Sequence, residues 1–134
     1  MKILLVIFVF FTKFVNAEVI DINNRELSDL IKKEIKIIDV RTQSEWKSIG
    51  IIKGSYLISL LNKNKKFIFE EWYEIFKNQF DNNKSIIFIC ASGVRSNYIS
   101  HLVKKKKPDL IVYNLKKGIN SWIRSGYNVE RLNN

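Results

Sequence analysis

The stretch IIFICASGVRS, Ile86 to Ser96, decides how the chain reads. With Ser85 before it, IIFI is apolar and mostly β-branched, the pattern of a central strand buried on both faces. The run ends in Cys90, the chain's one cysteine. A six-residue loop, CASGVR, then leads into SNYISHLV, where Tyr98, Ile99, Leu102 and Val103 recur at helical spacing. A strand, a loop and a helix N-terminus follow one another, with a thiol at the first junction. In open α/β sheets, ligands bind outside the carboxyl ends of the strands, which is where this junction falls.

The flanking sequence repeats the alternation. EVIDI reads as a short strand, and Asn23 with Glu26 three residues later resembles a capping pair that opens a helix over about 24–33. IKIIDV, Ile35 to Val40, is a second strand; TQSE, Thr42 to Glu45, is a capping box for a short helix ending near Gly50. SYLISL is a third strand. Trp72, Ile75, Phe76 and Phe80 form a helical stripe that belongs to a core. LIVYNL and GINSWIRSG close the pattern as a last strand and helix, with Gly126 as the stop. Strands alternating with amphipathic helices predict an α/β fold with a mostly parallel central sheet and helices on both faces.

The chain has 134 residues, 46% of them hydrophobic, with five Gly and one Pro, which fits one globular domain over 18–134. The first residues read differently. MK is a basic start, Ile3 to Phe11 is apolar, and TKFVNA ends in small residues, the pattern of a cleavable secretory signal peptide over 1–17. Nine apolar residues are few for a bilayer span, so no stable membrane span is expected after cleavage. The expected location is outside the cytoplasm, in a bacterial periplasm. The whole chain carries a net charge of +10; the leader holds Lys2 and Lys13 and no acid, so the remainder stays strongly basic. That balance favours small anionic substrates or a membrane surface; in an exported protein, nucleic acid is not the expected partner. Lys104 to Lys107 read as a solvated helix end that complements the helix dipole.

A lone cysteine in an exported chain has no internal disulfide partner, so it is a buried hydrophobe, an intermolecular bridge or a reactive thiol. The local sequence favours the last. Backbone N–H groups of a tight loop, backed by a helix N-terminus, create partial positive charge that favours a thiolate nucleophile. Gly93 allows a sharp turn and Arg95 adds a permanent cation. His101 invites a dyad with Cys90, but it lies eleven positions on, among apolar helix residues, and is not expected to act. Trp46, Trp72 and Trp122 are read as core.

CASGVRS resembles the C-x-x-G-x-R-S loop of the rhodanese family. IIDVRTQSEWKSIGIIKGSYLI resembles that family's upstream segment, and VYNLKKGINSWIRSGYNV its closing strand, glycine turn and Trp-bearing helix. The three segments stand in the family's order and span most of 18–130. With the leader, the chain is similar to the small single-domain rhodaneses exported to the periplasm. Two places depart from the usual pattern: GIIKGS has Ile51 for His and Lys53 for Pro, and the last turn has Lys117-Gly118 where two glycines are common.

The resemblance implies a thiosulfate sulfurtransferase in which Cys90 becomes a persulfide and passes its sulfur to cyanide or a thiol. It makes Ala91, Ser92, Gly93, Val94 and Arg95 the substrate cradle, with Asp39, Arg41, Glu45 and Ser96 in support, and it needs no metal or organic cofactor. Glu45 has two readings, as a partner for Arg41 or Arg95 and as a capping residue. The partners implied are a small anionic sulfur donor and a thiol or cyanide acceptor; no protein partner is indicated. Two other readings compete: a non-catalytic binding module of the same fold, and a phosphatase or arsenate-type reductase. Phosphatases of this fold place one more residue between Cys and Arg, whereas only Ala91 to Val94 intervene here.

Overall fold

In a computed structural model of the protein, residues 18–132 and Val9 are described, so the expected signal peptide lies, apart from Val9, outside the described residues. The elements are β1 (Ile20–Ile22), α1 (Asn24–Lys32), β2 (Lys36–Asp39), α2 (Gln43–Ile49), β3 (Tyr56–Leu57), α3 (Phe69–Phe80), β4 (Ser85–Ile89), α4 (Val94–Lys106), β5 (Ile111–Leu115) and α5 (Gly118–Arg124). The strands form one sheet in the order β1, β5, β4, β2, β3, with every neighbouring pair parallel. Among the described residues, no helix is long and apolar enough to cross a membrane.

The capping signals act where the sequence placed them. Asn23 accepts from the Glu26 amide at 2.9 Å and starts α1. Thr42 and Glu45 exchange both bonds of a capping box at the start of α2. Each satisfies backbone donors that a helix start leaves without intrahelical partners.

β4 is the middle strand, and Ile86 to Ile89 are fully buried. Alternation along it divides the core. Ile86, Phe88 and Cys90, with Ile38 and Val112, pack against Trp72 and Phe76 of α3 and Ile99 and Val103 of α4. Ile87 and Ile89, with Ile37 and Leu115, pack against Leu27 of α1 and Ile119 and Trp122 of α5. Full burial of each such side chain contributes about 1.5–3 kcal/mol. Cys90 therefore emerges from the most firmly packed strand, on the α3 and α4 face.

Several expectations need correction. The third strand shrinks to two residues: β3 is the sheet's edge, Tyr56 is exposed, and Ile58 and Leu60 continue alongside β2 through single bonds to Asp39 O and Val40 O. The core stripe of α3 runs through Trp72, Tyr73, Phe76 and Phe80, while Ile75 is exposed, since 75 lies off the face shared by 72, 76 and 80. On α4, Tyr98 is likewise exposed beside buried Ile99 and Val103. The lysine run is not uniformly solvated. Lys104 is buried and its Nζ donates to the Leu110 carbonyl at 2.6 Å, while Lys107 binds Asp81 across to α3's end. Lys104 thereby satisfies a carbonyl of the turn into β5, which water would otherwise have to reach.

Candidate active site

Cys90 follows the last residue of β4, and α4 begins at Val94, so the loop is tighter than the six residues expected and Arg95 stands in the helix's first turn. The turn is made by Gly93 in the left-handed region, φ 93°. There its N–H donates to Cys90 Sγ at 3.1 Å. Ser96 Oγ lies 3.3 Å from the same sulfur. The thiol is fully buried, so both groups act on it in a poorly screened setting. Ala91 is half-buried, and Ser92 and Val94 are exposed at the loop's rim.

The loop is clamped from behind by α5. The amides of Ile119 and Asn120 donate to the carbonyls of Cys90 and Ala91 at 2.9 and 3.1 Å. With its first carbonyls drawn toward α5, the loop is fixed against the helix behind it. This approach demands glycine twice: a Cβ on Gly93 would run into the Lys116 carbonyl, and one on Gly118, φ 65°, into the Ala91 carbonyl. Lys117, by contrast, has φ −105°, which any residue adopts, so the missing second glycine of the turn costs nothing. Gly118→Ala should therefore separate α5 from the loop and lower stability by about 2 kcal/mol or more. Urea denaturation would show it, with Lys117→Gly as a control expected to change stability by less than about 1 kcal/mol.

Arg95 does not stand alone. Its Nη1 and Nη2 donate to the two carboxylate oxygens of Glu45 at 2.9 and 2.7 Å. Glu45 also accepts from the Thr42 amide and hydroxyl, so the two readings of this residue coexist in one carboxylate. The Arg95 guanidinium, with help from Thr42 and against desolvation, pulls the Glu45 carboxyl from 4.5 down to about 2. Arg95 moves upward in turn, mainly through its hydrogen bonds to Glu45 and against desolvation by burial. Because the folded value is depressed, the pair's contribution is complete above pH 4.5 and lost as pH falls toward 2. Both side chains reach solvent, so that contribution is about 1 kcal/mol. Glu45→Gln should show this deficit at neutral pH and converge on the wild type as the acid limit is approached, measured as unfolding midpoints across pH.

Asp39 and Arg41 pair with each other, both fully buried. Arg41 Nε and Nη2 engage the carboxylate at 2.7 to 3.1 Å, and Nη2 also donates to Gly50 O at 2.7 Å. They brace the end of β2 against the end of α2, while Asp39 reaches the site only through its charge on Arg95. Ile51 and Lys53 lie away from the sulfur: Ile51 is buried in a backbone bridge to Glu130, and Lys53 is exposed near the Glu130 carboxylate. His101 is exposed on α4, in a shallow recess with Tyr98 and Pro108. Trp46, Trp72 and Trp122 are buried, as expected.

Asn114 was passed over by the sequence reading. It is buried, and its Oδ1 lies 2.6 Å from Ser96 Oγ. Its signal was a lone amide in the apolar run LIVYNL, since a buried amide has to find partners.

Comparison with known proteins adds the context. The profile of the rhodanese-like domain family matches residues 23–125. An uncharacterized protein of Rickettsia prowazekii is 33% identical over 90 residues, covering 61% of this chain and 67% of its own. A rhodanese-related protein of Thermoplasma volcanium superposes with a TM-score of 0.64 at 28% identity, over 83% of this chain and 97% of that one. A Rhodopseudomonas palustris protein of unknown function, described as a possible tyrosine phosphatase, shares the fold with a TM-score of 0.66 at 19% identity, over 87% and 88% of the two chains.

Proposed function

Since the chain belongs to the rhodanese-like domain family, we propose that it is a sulfurtransferase working through a persulfide on Cys90. The observation that carries this reading is the Cys90 sulfur itself, held at the end of the central strand with the Gly93 N–H 3.1 Å away and Arg95, in the first turn of the helix that follows, held by Glu45.

In the first step the Cys90 thiolate attacks the outer sulfur of thiosulfate. The S–S bond of thiosulfate breaks, sulfite leaves with the bonding pair, and the sulfur remains on Cys90 as a persulfide anion. In the second step cyanide or a thiolate attacks that outer sulfur, and the Cys90 thiolate departs with the pair. Negative charge rests on Cys90 sulfur before and after transfer, which is what a fixed amide donor stabilises best. The Gly93 amide and the α4 N-terminus supply this field, and Ala91, Ser92 and Val94 shape the rim. Arg95 attracts the anionic donor, although Glu45 neutralises part of its charge.

The alternative of phosphoryl transfer is disfavoured by the four residues between Cys90 and Arg95, one fewer than in phosphatases of this fold. Secretion, read from 1–17, belongs to the same proposal and is tested by N-terminal sequencing of the exported protein. For the activity, the purified protein is incubated with thiosulfate and its intact mass recorded, then thiocyanate is measured after cyanide is added. The proposal predicts one added sulfur atom, discharged by cyanide. Unchanged mass and no thiocyanate would remove it, and turnover of a phosphate ester instead would install the phosphatase reading.

A further inference from the structure

The Ser96 hydroxyl has one proton and two candidate acceptors. Cys90 Sγ lies at 3.3 Å and Asn114 Oδ1 at 2.6 Å. The competition between them is set one residue further out. Asn114 Nδ2 donates to Asp21 Oδ1 at 2.9 Å, and an ionised carboxylate only accepts. The amide is thereby turned with its oxygen toward Ser96, where it can only accept. Its contact is the shorter of the two through which the Ser96 hydroxyl can donate, so it competes with the sulfur for the one proton.

The fold dictates this arrangement. Asp21 and Asn114 are direct partners across β1 and β5, and Asn114 is the partner of Phe88 across β5 and β4. Partners in register share a face, and Cys90, two residues beyond Phe88, shares it too. Ser96, in the first turn of α4, closes the line. The chain runs from a fully buried thiol through buried Ser96 and Asn114 to an exposed carboxylate at a recess of about 290 Å³ beside the loop.

We propose that Asn114, oriented by Asp21, is a positioning residue that withholds the Ser96 proton from the resting Cys90 thiol and releases it when Cys90 carries charge. With the neutral thiol every bond has a donor and an acceptor: S–H to Ser96 Oγ, Ser96 O–H to Asn114 Oδ1, Asn114 N–H to Asp21. An anionic sulfur, or the inner sulfur of a persulfide, has no proton to give. Ser96 must then turn and donate to it, which leaves the buried Asn114 oxygen without a partner. The idea deepens the sulfurtransfer reading above in giving the line a purpose, but its test does not depend on transfer.

The test is the rate at which iodoacetamide alkylates Cys90 at neutral pH, followed by intact mass. Asn114→Leu removes the competing acceptor, frees the Ser96 proton for sulfur, and should raise the rate about fivefold. Asp21→Ala, at an exposed position, removes that acceptor, releases the amide to flip and should act in the same direction; it guards against misfolding of the buried variant. Ser96→Ala removes the shared proton, so Asn114→Leu placed on that background should add nothing. A merely structural role for Asn114 would not be erased by Ser96→Ala. The proposal is overturned if both single variants alkylate at the wild-type rate or slower, or if the acceleration persists without Ser96. Absence of thiocyanate formation with the acceleration intact would instead count against the sulfurtransferase reading alone.

Discussion

Cys90→Ser is expected to leave the fold in place and to reduce sulfur transfer by at least about three orders of magnitude. The two halves of that expectation have separate causes. Serine is smaller than cysteine by little, and its buried hydroxyl finds the Gly93 N–H and the Ser96 hydroxyl already in position. A buried polar atom with partners costs little, so stability should change by no more than about 1 kcal/mol. The chemistry, however, has nowhere else to go. The chain holds no second cysteine, and an alkoxide neither forms readily nor makes a stable bond to sulfane sulfur. Intact mass after thiosulfate should show no added sulfur in the variant. Thiocyanate formation at a tenth of the wild-type rate, or sulfur retained elsewhere on the chain, would show that Cys90 is not the carrier. The variant also separates the competing reading of a binding module, which predicts that any partner complex survives the substitution unchanged.

The site was legible in the sequence where chemistry depends on contiguous residues. IIFIC announced a buried strand, Gly93 a turn, and TQSE a capping box, because each of these signals is local. What stayed hidden depends on pairing between distant segments. Glu45 and Arg95 are fifty positions apart, and only the approach of the first turns of α2 and α4 makes the carboxylate serve a cap and a guanidinium together. The line from Asp21 to Ser96 needs the strand order β1, β5, β4, which no periodicity reveals. The same holds for Lys104, which looked like one of four solvated lysines until its carbonyl partner at Leu110 came into view. The glycine turn before α5 was read as a departure from the family pattern, yet backbone angles show that Gly118 alone carries the requirement.

Asp39→Ala should be the most damaging substitution outside the loop, costing about 3–5 kcal/mol, against a total stability for such domains of about 5–15 kcal/mol. The cost arises from what remains. Arg41 would keep its charge in a fully buried position with Gly50 O as its remaining partner, and its Nη1 has no hydrogen-bond partner among the described residues even now. Replacing both partners with apolar residues, Asp39→Leu with Arg41→Met, leaves no unpaired charge and should recover much of the loss, since buried ion pairs are about neutral against hydrophobic substitutes of similar volume. Urea midpoints of the single and double variants complete the cycle, and a single-variant loss under about 1 kcal/mol would mean that the pair is hydrated rather than buried. Activity should not recover with stability. Arg41 Nη2 holds Gly50 O, the end of α2, and α2 carries the Glu45 that fixes Arg95 in the first turn of α4. A double variant that folds well but loads sulfur more slowly would place the buried pair in the line of support running from β2 through α2 to the reactive loop. Equal recovery of both would confine it to the core.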